Sequence, residues 1–370
     1  MPAGRVQRIE QQGLRLPKGF RINLRADGTP SLRGFQMKEE APPTSHPGVD
    51  WAALAGRKRS PPSVVTEYEQ LSTMQSRYGD PMEVRLYEAK IAALTGMHRE
   101  GWLPIDWNAI ASSPPPQAPA RPNAREQHAA HALSAYKPTL SEKIFGAEKR
   151  RAELSQAVEA ARAHDEHEYR ALHATYESHR KRWEWFNVLA RSVLAGEVCG
   201  CQSAIEHLGP FSTFKSFGSS LNVAITRPWC IEAWVIGNTN RVIPTETIGY
   251  TPTGRISRKE TPDPKYWAIY QDHVCSAALS VGREIFAILP VPIVMVHVGY
   301  PYVSSKTSHP DCSPMLSVAF ERTKFLSLNL HGIDPSDSMA NFEHRMDHKK
   351  KTGLEPIEPL TPDDLDVLEE

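Results

Sequence analysis

Hydrophobic positions along this chain follow two periods, and the change from one to the other is clearest in "VGREIFAILPVPIVMVHV", Val281 to Val298. Upstream, Trp267, Tyr270, Val274, Ala278, Val281, Ile285 and Ile288 recur three or four residues apart behind Asp263-Pro264, which predicts a helix over 265–289 that Pro290 ends. Downstream, "VPIVMVHV" is continuously apolar, as suits a strand covered on both faces. The segment reads as a helix handing the chain to a central strand.

Around it, "LNVAIT" (221–226), "CIEAWVIG" (230–237), "RVIPTETIGY" (241–250) and "GRISRK" (254–259) are β-branched or aromatic clusters separated by turn residues, and they predict an antiparallel meander. "MLSVAFER" (315–322) adds a strand, and a short helix is expected around 325–330 or 336–346. The fold class is therefore α+β, a mixed or antiparallel sheet with packed helices over 197–350.

Before this domain, residues 147–195 lack both proline and glycine. Leu154, Val158 and Ala161, then Tyr169, Leu172, Tyr176, Trp183, Phe186, Ala190 and Val193, keep three-four spacing with an extra step near Asp165. One long helical arm (139–196), about 70 Å of it helical, is predicted. Its Trp183–Val193 end carries the larger apolar groups and should be docked, with the Leu154–Asp165 end projecting. Burial of the stripe requires either folding back on the chain's own body or pairing with another chain.

Further upstream, Phe20, Ile22 and Leu24 alternate ahead of Asp27-Gly28, giving a basic β-hairpin segment over 1–40. A small helical segment spans 64–103, with a stripe of Val84, Tyr87, Ile91 and Leu94 and a stop at Gly96. Proline-rich residues 41–63 and 104–125, the latter containing "SPPPQAPARP", read as linkers. Residues 351–370 form an acidic tail.

Composition adds limits. No apolar run approaches the roughly 18–20 residues a membrane helix needs, so no membrane partner is expected. Five cysteines, an odd number set mostly in apolar segments, do not resemble a secreted disulfide framework, and the cytoplasm is the default compartment. The 43 basic and 43 acidic residues cancel, but residues 1–35 hold seven Lys or Arg against two acids, while 354–370 hold seven acids and no Lys or Arg. Opposed charged ends are usually solvated tails and less often marks of a polyanion partner.

The segments "IYQDHVCSAALSVGREIFAILPV", "MLSVAFERTKFLSLNL" and "DPSDSMANFEHRM" resemble a family of uncharacterised bacterial proteins in which a variable amino-terminal part, a long charged helix and a similar carboxy-terminal domain occur in this order. The likeness covers about 130–360. It implies a bacterial intracellular protein and supplies neither an activity nor site residues.

Candidate chemistry is sparse. No phosphate loop, dinucleotide fingerprint or serine nucleophile elbow is present. Glu232 and Glu246 with Lys259 are the catalytic candidates for an Mg²⁺-dependent restriction-like phosphodiesterase, in which acids on adjacent strands hold the metal and a lysine orients the attacking water. The expected Glu-x-Lys spacing fails, because Ile248 stands two residues after Glu246; the plainer reading is solvated glutamates. Cys199-x-Cys201 and the pair His344 and His348, placed on an expected helix, lack the remaining ligands of a zinc motif, and no metal site is assigned. Arg180, Lys181 and Arg182 beside Trp183, together with Lys349 and Lys350, could contact nucleic acid; the plainer reading has Trp183 in the stripe and the cations reaching solvent.

The resulting expectation is a non-enzymatic protein-interaction or oligomerisation module, with Tyr169 and Tyr176 at the interface of the arm with a protein partner or a second copy. The phosphodiesterase acting on nucleic acid is the alternative. The cofactor is left open, Mg²⁺ entering only with that alternative.

Overall fold

The computed structural model describes residues 21–24, 30–33, 64–78, 81–101, 103–139, 146–209, 219–237, 242–303 and 310–365. Much of the basic amino-terminal segment, the linker at 41–63 and the last five residues of the acidic tail lie outside them. In chain order the elements are β1 (Arg21–Leu24), β2 (Pro30–Arg33), α1 (Val64–Tyr78), α2 (Pro81–Thr95), α3 (Trp107–Ser112), α4 (Ala124–Ala135), α5 (Ala147–Leu194) and α6 (Val198–Leu208). They continue with β3 (Ser220–Arg227), β4 (Cys230–Ile236), β5 (Glu246–Tyr250), β6 (Ile256–Glu260), α7 (Asp263–Ile288), β7 (Ile293–Val303), β8 (Pro310–Glu321), α8 (Arg322–Ser327), β9 (Glu343–Lys349) and β10 (Gly353–Glu355). The chain divides into two compact units, one of them Asp106–Arg191 and the other formed by the residues on either side of it.

The larger unit is α+β. Its mixed six-stranded sheet has the order β10-β9-β8-β7-β4-β3. β4 and β7 are parallel, and every other neighbouring pair is antiparallel. Parallel neighbours need a long crossover, which α7 supplies. The expected four-strand meander is therefore split. β3 and β4 form a hairpin in the main sheet, whereas β5 and β6 form a separate two-stranded ribbon, tied to α2 by the Arg258–Glu83 ion pair at 2.7 Å. The amino-terminal hairpin, β1 with β2, has the expected antiparallel register.

Successive residues of a strand point to opposite faces. Ile231, Ala233 and Val235 of β4, Val294, Val296 and Val298 of β7, and Leu316, Val318 and Phe320 of β8 therefore share one face, and all are buried. α7 covers it. Nearly the whole of α7 from Ile269 to Ile288 is buried, because α2 and the 3-10 turn Met97–Arg99 cover its other side. His273 Nδ1 lies 3.1 Å from the Leu94 carbonyl and His98 Nδ1 2.9 Å from Ser276 Oγ. Burial, with Arg99 and Arg283 close by, pulls the His98 pKa down to about 4, so this imidazole is neutral at pH 7. Glu100 Oε1 accepts from the Val65 N–H at 2.8 Å, capping the first turn of α1 from another part of the chain.

Two expectations change towards the carboxyl end. Residues 336–346 do not form a helix: a short 3-10 turn at Asp337–Asn341 leads into β9. His344 and His348 therefore sit four residues apart on a strand, about 13 Å along it, rather than on adjacent turns of a helix. Residues 353–365 are also more than a solvated tail, since β10 pairs with β9 and the segment after it lies on the sheet.

Gly282 permits the close approach of α7 to β8. A Cβ at this position would stand 2.7 Å from Cδ2 of Phe320, a fully buried ring packed against Phe325 and Phe342. Gly282→Val should cost about 1–3 kcal/mol through overpacking, more than the few tenths of helix propensity it gains. A melting midpoint unchanged in calorimetry would contradict this packing.

Candidate functional site

On the sheet face away from α7, the register aligns Trp234 of β4, His297 of β7, Ser317 of β8 and Arg345 of β9, with Glu232 two residues from Trp234 on the same face. His297 is fully buried, its Nδ1 is 2.9 Å from Ser317 Oγ, and the Trp234 indole lies against its ring at a centroid distance of 4.5 Å. Leu360 N–H donates to Ser317 Oγ at 2.8 Å. Ser317 Oγ thus bridges the strap amide and His297 Nδ1, while Nε2 faces Glu232. Nε2 and Glu232 Oε1 are 3.4 Å apart, an alignment that falls short of a hydrogen bond. Trp234 Nε1–H donates to the same oxygen at 3.0 Å. Burial acts to raise the Glu232 pKa, but the imidazole and the indole N–H outweigh it and hold the carboxyl below its ordinary value.

A strap over 357–365 crosses this face. Ile357 N–H donates to the Pro314 carbonyl at 2.9 Å, Leu360 packs with Cys230, Ile293, Met295 and Ala319, and Arg345 donates to the Pro359 carbonyl and to Asp364 Oδ1, both at 3.0 Å. A carboxylate, an imidazole and a hydroxyl in sequence can relay a proton. Here, however, the hydroxyl is spent on the strap, the imidazole has no exposed atom, and the row acts as a polar crossbar that fixes the register of three strands and seats the strap.

The sequence-predicted acids do not assemble. Glu232 lies in the crossbar, whereas Glu246 and Lys259 are exposed on the β5–β6 ribbon. There Glu246 faces Glu260 and Lys259 faces Thr247, so the ribbon sends Glu246 and Lys259 to opposite faces. An acid and a lysine that diverge in this way cannot share a metal-bound water. Among the described residues no three His, Cys, Asp or Glu side chains are grouped to hold a metal ion; Cys199 is exposed and Cys201 buried on α6.

Of the basic candidates, Arg180 stands between Glu177 and Glu184, at 3.2 and 3.8 Å, and Lys349 between Asp347 and Glu355, at 3.9 and 2.6 Å. The Glu355 carboxylate holds the Lys349 ammonium above its usual pKa. Cations already paired offer phosphate less net charge. Lys181 and Lys350 are exposed and Arg182 is half-buried.

In the second unit, Asp106–Arg191, the chain packs a segment of its own against α5. The proline-rich residues 113–122, expected as a linker, lie along α5. At one end Trp183 Nε1–H donates to the Ser113 carbonyl and hydroxyl, at 3.1 and 3.0 Å, and Asn187 Nδ2 donates to the Ile110 and Ala111 carbonyls, at 3.3 and 2.9 Å. At the other end the Arg121 guanidinium pairs with Glu166 and sits over the Tyr169 ring, 5.7 Å from its centroid. Beyond it, Asp165 accepts from the Glu126 N–H at 3.0 Å and from Arg125 at 3.2 Å. Glu126 is the third residue of α4, whose own Asn123 makes no side-chain cap, so Asp165 caps α4 from α5. The backbone bond from Glu126, then the guanidinium of Arg125, keep the Asp165 carboxyl below its ordinary pKa despite the loss of water around it.

Of the predicted interface residues, Tyr169 and Tyr176 are half-buried and flank His173, at centroid distances of 5.6 and 5.8 Å. Trp234, His297 and Ser317 were not singled out from the sequence, and only their alternation with apolar neighbours on the central strands hinted at them. Asp165 was noted only as a break in the helix pattern, which is where its carboxylate is needed. Comparison with protein-family models, with curated proteins and with solved structures finds no match.

Two outcomes are expected. Glu232→Ala strands the buried indole N–H of Trp234, removes the carboxylate that faces His297, and should cost about 2–4 kcal/mol at neutral pH. Because the folded pKa of Glu232 is depressed, its contribution is full above the ordinary value of 4.5 and is lost as pH falls through the folded value; urea midpoints from pH 7 to 3 should fall less steeply in Glu232→Gln than in the parent. Asp165→Ala should speed hydrogen exchange at the first-turn amides of α4 while leaving α7 amides protected, and equal acceleration in both would refute the capping role.

Proposed function

We propose that this protein works through its helical arm as a protein-interaction module, the arm associating with a protein surface that completes the burial of its apolar stripe. One observation carries the reading. From Ala147 to Trp185, the only buried side chain of α5 is the charged Asp165, and Leu172 is 44 % exposed. A helix of this length draws most of its stability from burying an amphipathic face, and its ion pairs, such as Arg150–Glu153 and Arg170–Glu166, are worth only about 0.3–0.5 kcal/mol each. The stripe of Leu154, Val158, Ala161, Tyr169, Leu172 and Tyr176 is thus half finished within the chain. No helix among the described residues is long and apolar enough to cross a membrane, so a membrane-spanning helix is not what completes it.

Light scattering of the full chain over a range of concentrations should give a mass above the 41.4 kDa of a single copy or, with a partner present, the mass of the complex. Tyr169→Glu combined with Tyr176→Glu should return it to a single copy with the helical circular dichroism retained. An unchanged mass in the double variant would sink the reading.

A further inference from the structure

Resting on that reading, we infer that the Tyr169–Trp183 ridge of α5 is a receptor for proline-rich extended segments, and that the segment it takes in a complex is residues 113–122 of a second copy. The resident strip shows the recognition chemistry. Proline fixes φ, and a residue before proline is pushed to extended ψ; this applies to Ser113, Pro114, Pro115, Ala118 and Arg121, and Ser113 itself has φ −64° and ψ 134°. An extended strip from Ser113 to Arg121 rises about 25 Å at roughly 3.1 Å per residue. α5 rises about the same 25 Å between their partners Trp183 and Glu166, at roughly 1.5 Å per residue. The two ladders therefore stay in step.

Along this length the ridge offers an indole N–H to a strip carbonyl, tyrosine rings, and a carboxylate for the arginine that stands two residues after the last proline of Pro116-x-x-Pro119. Proline-rich segments are read in this way by aromatic-lined grooves, which gain from a ligand that is rigid before it binds. The carboxyl end of the resident strip is held by partly exposed groups: Arg121 is 68 % and Arg125 50 % exposed on their side chains, and α4 beyond it has no buried residue. Re-binding of a released strip to the ridge of a second copy recreates the same contacts. The exchange is reciprocal and closes as a two-fold pair.

A charge swap between copies tests this in the full-length protein. Arg121→Glu in one copy and Glu166→Arg in another each prevent a chain from closing on itself, whereas in a mixture each ridge meets a complementary strip. Light scattering should give a single-copy mass for each variant alone and twice that mass for the equimolar mixture, and a labelled peptide of residues 111–123 should bind Arg121→Glu at least tenfold more tightly than Glu166→Arg. A mixture no heavier than its components overturns the exchange: peptide binding in that case would show a ridge that serves another protein, and no binding would show that the ridge is no receptor. A parent chain that associates, and that Tyr169→Glu with Tyr176→Glu dissociates, while the mixture does not, would leave the arm as an interaction module and remove only the proline-rich ligand.

Discussion

Burial of β7 on both faces is the constraint from which the larger unit follows. Val294, Val296 and Val298 need a helix over them, and Met295 and His297 need cover on the other side. α7 meets the first demand because it enters the sheet directly before β7 and returns over it, which makes β4 and β7 parallel neighbours. The strap meets the second with Leu360, and a polar residue under that strap has to be satisfied by other polar groups. Glu232, His297, Ser317 and the Leu360 N–H therefore form one network, since any of them left alone at that depth would cost more than the hydrogen bond it makes.

The second unit solves a different problem with little apolar surface. α5 cannot supply its own interior, and the chain lays a proline-rich strip along it that needs no hydrogen bonds of its own. Strip and helix meet through a few directed contacts: an indole N–H, an amide, a guanidinium on a carboxylate, and Asp165 at the head of α4. This polar and open arrangement contrasts with the closed crossbar of the larger unit.

The same comparison separates structure from chemistry. His297 and Ser317 have the residue types of a catalytic relay, yet the neighbours they already have account for them. Glu246 and Lys259 have the right types and an open position, yet strand alternation sends them apart. Residue type singled out Glu246 and Lys259 but not His297 and Ser317, and only the strand register shows what each of them faces.

Local periodicity settled a good deal before any coordinates. The α7-to-β7 handover, the proline- and glycine-free α5, the stop at Gly96, and strands β3, β4 and β8 are visible because side-chain direction repeats with each element's own pitch. Towards the carboxyl end of α5, Phe186, Leu189, Ala190 and Val193 are buried. Pairing is not local. That β5 and β6 leave the main sheet, that residues 343–349 extend as a strand, that the acidic end becomes a strap, and that Ser113 meets Trp183 and Arg121 meets Tyr169 all depend on groups tens of residues away. The sequence alone determined which segments could be helix or strand, because that depends on neighbours three or four residues off. Only the tertiary structure decided which polar atoms meet, because a hydrogen bond depends on positions that packing sets.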